Sequence, residues 1–159
     1  MRCAIPLLLL SLLTPSVAEA QYAVTQGQTL SGLDNVLLAF AEPTGQIQAT
    51  DLQSLYQSAT LELRKVGIRI ATDSTEVDMA TDGVLNVTLW VTDAFSDEVS
   101  LRLDVEQLAT LRRTGETLQM VTWFHESARS GPNWRDFTRS LLMDGVNGFL
   151  SDWLDANGR

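Results

Sequence analysis

Between residues 85 and 105 the chain alternates strictly. Leu85, Val87, Leu89 and Val91 interleave with Asn86, Thr88, Trp90 and Thr92, and Val99, Leu101, Leu103 and Val105 interleave with Ser100, Arg102, Asp104 and Glu106. Successive strand side chains point to opposite faces, so this pattern fits antiparallel strands with one face buried and one largely wet. It does not fit a helix, whose apolar residues recur every three or four positions. The fold must therefore cover one face of a sheet and leave the other open. Leu108 and Leu111 break the parity, which predicts a bulge or bend near them. Arg113-Thr114-Gly115 turns the chain into a further strand. Read in a single phase, that strand puts Leu118, Met120, Thr122 and Phe124 on one face and Val121, Trp123 and His125 on the other.

Two helices flank this region. Thr50 is a candidate N-cap with Gln53 three residues on, as in a capping box. Leu52, Leu55, Tyr56, Ala59 and Leu63 then follow helical spacing. Arg64 and Lys65 suit the negative end of the helix dipole, and Gly67 supplies a left-handed stop. Asn133 is a candidate cap for the second helix, which carries Phe137, Leu141, Val146, Phe149, Leu150 and Trp153 and ends at Asn157-Gly158. Gly145 and Gly148 each cost about 1 kcal/mol relative to Ala inside a helix, so they mark either a close approach to the sheet or a kink. Short apolar runs at Val36–Phe40 and Ile68–Ala71 complete the strands. The reading is α+β: a mainly antiparallel sheet of about four or five strands, two helices on one face, in the order β-α-β-β-β-β-α.

The first residues carry an address. Arg2 precedes an apolar run over 5–13, and Ala18-Glu19-Ala20 offers a small-x-small cleavage pattern. This is the order of a secretory signal, with an apolar core too short to span a bilayer. The expected division is a cleaved signal over 1–20, a flexible polar segment over 21–32 and one α+β domain over 33–159. The expected location is exported, periplasmic or secreted. Cys3, the only cysteine, precedes the apolar run and would leave with the signal, so no lipid anchor and no disulfide are expected. No later run approaches the ~18 apolar residues of a membrane helix. A net charge of −9 disfavours nucleic acid and anionic lipid as partners.

The element order resembles the small envelope lipoproteins of the LptE type, which assist lipopolysaccharide assembly. The matching features are the signal, the first strand, a helix ending at Val66-Gly67-Ile68, the strand series and a terminal helix ending near Leu154. The lipidated cysteine of that family has no counterpart here. The resemblance implies an envelope protein or surface component as partner. A cystatin-like sheet wrapped around the first helix is the alternative fold, and the long terminal helix argues against it.

Candidate chemistry is sparse. His125 is the only histidine, with Glu126, Ser127 and Ser130 nearby. Neighbouring strand residues point to opposite faces, so Glu126 is badly placed to orient His125. Asp73, Glu76, Asp78 and Asp82 crowd one loop and are weak calcium candidates, although their spacing departs from the Asp-x-Asp-x-Asp-Gly calcium loop. One histidine and no cysteine beyond Cys3 do not make a zinc site, no glycine-rich phosphate loop follows any strand, and no cofactor is expected. The sharper feature is aromatic. With the aliphatic parity turned to the helices, Trp90, Arg102, Val121, Trp123 and His125 are expected to share the open sheet face. Tryptophan and arginine are enriched at binding hot spots. Against this stands Arg102 simply stacking on a tryptophan to cover the sheet. The chain reads as an exported, soluble, non-catalytic envelope protein that binds a partner or assists surface assembly. The alternative is an exported hydrolase or small-ligand-binding protein using His125 and the loop carboxylates.

Overall fold

The structure is a computed structural model that describes residues 26–41, 49–92, 98–131 and 134–159. The expected signal, the candidate cap Asn133 and the turn at 42–45 lie outside the described residues. The elements are β1 (Asn35–Phe40), α1 (Ala49–Lys65), β2 (Arg69–Ala71), β3 (Gly83–Thr92), β4 (Glu98–Thr110), β5 (Thr117–Ser130) and α2 (Trp134–Asn157). One sheet holds all five strands in the order β2-β1-β3-β4-β5. The fold is α+β in the expected element order, with both helices packed on one face.

The sheet has two halves with different logic. β1 pairs in parallel with both β2 and β3. A parallel neighbour needs a crossover, and α1 supplies it between β1 and β2. β3, β4 and β5 run antiparallel through long ladders. Their alternation is realised: Leu85, Val87, Leu89, Val99, Leu101, Leu103 and Val105 are buried under the helices.

α1 begins at Ala49, so Thr50 lies inside the helix rather than capping it. Its stripe of Leu55, Ala59 and Leu63 is buried. The helix ends as its glycine requires. Gly67 has φ 95°, the Ile68 amide donates to the Leu63 carbonyl (3.2 Å), and the Gly67 amide donates to that of Arg64 (3.1 Å).

α2 packs across β4 and β5, with Leu141, Leu142, Val146, Phe149 and Trp153 buried. Gly145 is the close approach that its sequence position predicts. A β-carbon there would lie 2.4 Å from Leu103 Cδ1 and 3.0 Å from Leu101 Cδ2. Gly148 has ordinary room, its nearest neighbour being His125 Nδ1 at 3.8 Å.

The described part of the polar stretch before β1, residues 26–32, packs against the fold. Gln26–Leu30 forms a 3-10 turn, and Leu30 and Leu33 are fully buried. The end of α2 holds it. Asn157 Nδ2 donates to the Leu30 carbonyl (3.1 Å), Asn157 Oδ1 accepts from the Gly32 amide (2.9 Å), and the Trp153 indole donates to the Leu33 carbonyl. A polar sequence hides this packing because its anchors are two leucines and backbone groups.

β5 contains the bulge. Val105 pairs with Trp123, yet Glu106 pairs with Val121, so Thr122 is an extra residue on β5. Its hydroxyl meets Gln107 Oε1 (2.8 Å), and its carbonyl accepts from the Thr29 hydroxyl (2.8 Å). The irregularity expected near Leu108 thus sits on the opposite strand. Leu108 stays in phase with Glu106 and is left 42% exposed.

Candidate functional site

The bulge decides which residues share the open face. A one-residue slip moves every later side chain to the other face. On the N-terminal side of Thr122, Val121 pairs with Glu106 and faces outward. On the C-terminal side, Phe124 pairs with Asp104 and Glu126 with Arg102, and these also face outward. Trp123 and His125 pair with buried Val105 and Leu103 and face the helices. Of the five residues expected to share the open face, the structure keeps Trp90, Arg102 and Val121 there, with Trp90 and Val121 well apart opposite Ser100 and Glu106 of β4, and removes Trp123 and His125.

Trp123 is a core residue. It is 2% exposed, its indole donates to Asp152 Oδ2 (2.8 Å), and its ring meets Phe149 edge-on at 5.3 Å. His125 stacks nearly parallel on Trp123, with ring centroids 6.4 Å apart, beneath Gly145 of α2. Glu126 points to the opposite face and pairs with Arg102. Ser127 shares the helix side, where its hydroxyl is buried with no hydrogen-bond partner among the described residues. Ser130 pairs with Glu98 at the end of the ladder. The nearby serines and acid thus do not assemble around His125.

The open face is organised by Arg102. Its Nε donates to Asp104 Oδ1 (3.0 Å) and its Nη1 to Glu126 Oε1 (3.0 Å). Asp104 Oδ2 accepts in turn from Asn86 Nδ2 (3.1 Å), which ties Asn86 into the sheet. The guanidinium carbon lies 5.9 Å from the centre of the Phe124 ring. Arg102 therefore stacks on a phenylalanine rather than on a tryptophan. The Asp104 hydrogen bond, reinforced by the charges of Asp104 and Glu126, raises the Arg102 pKa above its ordinary value. Around this network Phe124 is 45% and Val121 42% exposed, and Trp90 is half-buried.

Phe124 is the residue that a single-phase reading misses. The large side chains step by two from Leu118 to Met120 and by two from Trp123 to His125, but by three between Met120 and Trp123. That odd step was the visible sign of the bulge.

The loop carboxylates serve the loop. Asp73 Oδ1 accepts from the Thr75 amide (2.7 Å), Glu76 Oε2 from the Thr72 amide (2.7 Å) and Asp78 Oδ1 from the Ala80 amide (3.0 Å). The Thr75 hydroxyl and amide lower the Asp73 pKa. Asp82 is buried and accepts from Asn35 Nδ2 (2.8 Å) and the Asp78 amide (3.0 Å). Burial pushes the Asp82 carboxyl up, but these bonds, Thr81 and the Arg69 charge outweigh it and hold the pKa below the ordinary value. Among the described residues, no three His, Cys, Asp or Glu side chains converge as a metal site requires. No helix among them is long and apolar enough to cross a membrane.

No protein-family model matches the chain, and no curated protein matches it in sequence. Among solved structures, the chain is similar to the PelC L103M dodecamer from Paraburkholderia phytofirmans. The two are 17% identical, the match covers 75% of this chain and 90% of that one, and the TM-score is 0.47.

Proposed function

We propose that the chain is an exported, non-catalytic protein that binds a partner through the open face of its sheet. One observation carries this reading. The helices cover one face of β3, β4 and β5, while the other presents Trp90, Val121 and Phe124 around the Arg102 network. Aromatic and arginine side chains on one partly exposed face are residue types enriched at binding hot spots. Glu126 and His125 occupy opposite faces of β5, so Glu126 does not orient the imidazole. Export rests on the signal-like pattern over 1–20, and the envelope as the place of action rests on that pattern and on the LptE-type element order.

A photo-crosslinking side chain tests the surface. It replaces Phe124 on the open face and, as control, Leu61, which is 56% exposed on α1. In the native envelope, position 124 is expected to capture a defined partner and position 61 is not. Equal capture at both positions, or none at 124, refutes the proposal. Intact mass of the exported chain is expected to match residues 21–159; a lipidated or uncleaved product contradicts the export reading.

A further inference from the structure

Trp90, Ser100 and Ala128 form one cross-strand row on the open face, since Trp90 pairs with Ser100 and Ser100 with Ala128. Two small side chains beside an indole leave a step in the surface. These three and Glu126 line a depression of about 380 Å3, with Leu101 and Ser127 contributing between them. One wall is an aromatic ring and the other is a carboxylate whose side chain is 56% exposed.

The charges choose the occupant. Among the described residues this face carries Glu98, Asp104, Glu106 and Glu126 with two cations, Arg102 and, outward on β2 by its register, Arg69, and the chain as a whole carries −9. An anionic ligand is repelled, and two copies meeting face to face would oppose like charges. A cation is attracted. The face already contains the complementary arrangement once: Arg102 lies over Phe124 and hydrogen-bonds to two carboxylates. The Trp90 depression sets a second aromatic ring beside the same Glu126, whose Oε1 is held by Arg102 and whose Oε2 has no partner among the described residues.

We infer that this depression takes an arginine side chain presented by a partner protein, stacked on the Trp90 indole and hydrogen-bonded to Glu126. A planar guanidinium both stacks on a ring and forks to a carboxylate; an ammonium group has no plane to stack. The inference rests on the proposed reading of the open face as a binding surface and specifies its chemistry.

The test titrates the full chain with tetra-arginine amide, tetra-lysine amide and tetra-citrulline amide, following indole N–H resonances by NMR. Trp90→Phe assigns the reporting signal, and the buried Trp153 indole reports that each variant stays folded. Tetra-arginine is expected to give a saturable shift at Trp90, to bind more tightly than tetra-lysine, and to be unmatched by the neutral citrulline peptide. Trp90→Leu and Glu126→Gln are each expected to weaken it about 2- to 30-fold, the range of one cation–aromatic contact. Equal affinity for arginine and lysine, or folded variants with unchanged affinity, overturns the inference in favour of diffuse attraction to an acidic surface. If arginine shows no preference while position 124 still captures a partner, the arginine chemistry is wrong and the surface stands. If arginine binds at Trp90 but no partner is captured, the arginine site stands and the proposed function falls.

Discussion

Replacing Gly145 by Ala is expected to destabilise the fold, although alanine is the better helix former. Two effects compete. Alanine in a helix interior gains about 1 kcal/mol over glycine. Here the new methyl would lie 2.4 Å from Leu103 Cδ1, 3.0 Å from Leu101 Cδ2 and 3.3 Å from His125 Cδ2. Leu103 and Leu101 are essentially unexposed, so neither can swing toward solvent. Overpacking of this kind costs about 1–3 kcal/mol, and here the full upper part of that range applies because two side chains must move together. The net expectation is a loss of about 1–2 kcal/mol, or a fall in melting temperature of roughly 3–6 °C for a domain of this size. Gly148 is the internal control. Its added methyl meets nothing closer than 3.8 Å, so Gly148→Ala is expected to stabilise by about 0.5–1 kcal/mol. Urea unfolding of both variants measures the two signs. A double-mutant cycle with Leu103→Val is expected to show coupling at Gly145 and none at Gly148. If both alanines stabilise, the helix lies farther from β4 than described and the packing argument fails.

Trp123→Ala is expected to cost about 3–5 kcal/mol, as for a large buried aromatic, whereas Trp90→Ala leaves stability within about 1 kcal/mol; paired thermal melts decide this, and a near-neutral Trp123→Ala would return Trp123 to the open face. Leu103→Ala is expected to cost about 2–5 kcal/mol, and a change below about 0.5 kcal/mol by urea titration would mean that the inward parity of β4 is misassigned. Asp82→Ala removes the partner of Asn35 Nδ2 at a buried site and is expected to cost about 1–3 kcal/mol near neutral pH. Because the folded pKa of Asp82 is lowered, its contribution is present above the ordinary carboxylate range, near pH 4, and is lost as pH falls through the folded value. The stability gap between wild type and Asp82→Asn, measured from pH 7 down to 2, is therefore expected to narrow below about pH 4; a gap constant with pH would contradict the assignment.

Elements dominated by side-chain periodicity were legible in the sequence, and those dominated by backbone pairing were not. The alternation over 85–105 correctly placed Leu89 and Leu103 inward and Trp90 and Arg102 outward. The stripe of α1 and its stop at Gly67 followed from spacing and from the conformational freedom of glycine. By contrast, nothing in Asn35–Phe40 distinguishes a parallel neighbour from an antiparallel one, because that choice is made by where the crossover helix returns the chain. The locking of Gln26–Leu30 was also hidden, since it depends on Asn157 some 127 residues away. The open face was half legible. Its β3 and β4 members followed from parity, but Thr122 shifts the phase of β5, trading Trp123 and His125 for Phe124.

The clasp between the two ends of the domain has a consequence for timing. Leu30, Gly32 and Leu33 are held by Trp153 and Asn157, so the earliest described residues wait for the latest. Helices and the β3–β4–β5 meander are built from neighbours in sequence and can form as the chain emerges. The strap across their base cannot close until Trp153 and Asn157 have left the ribosome. A chain interrupted before Trp153 leaves Leu30 and Leu33 without the side chains that hold them. The same dependence makes the C-terminal turn of α2 the place where a short truncation does damage out of proportion to its length.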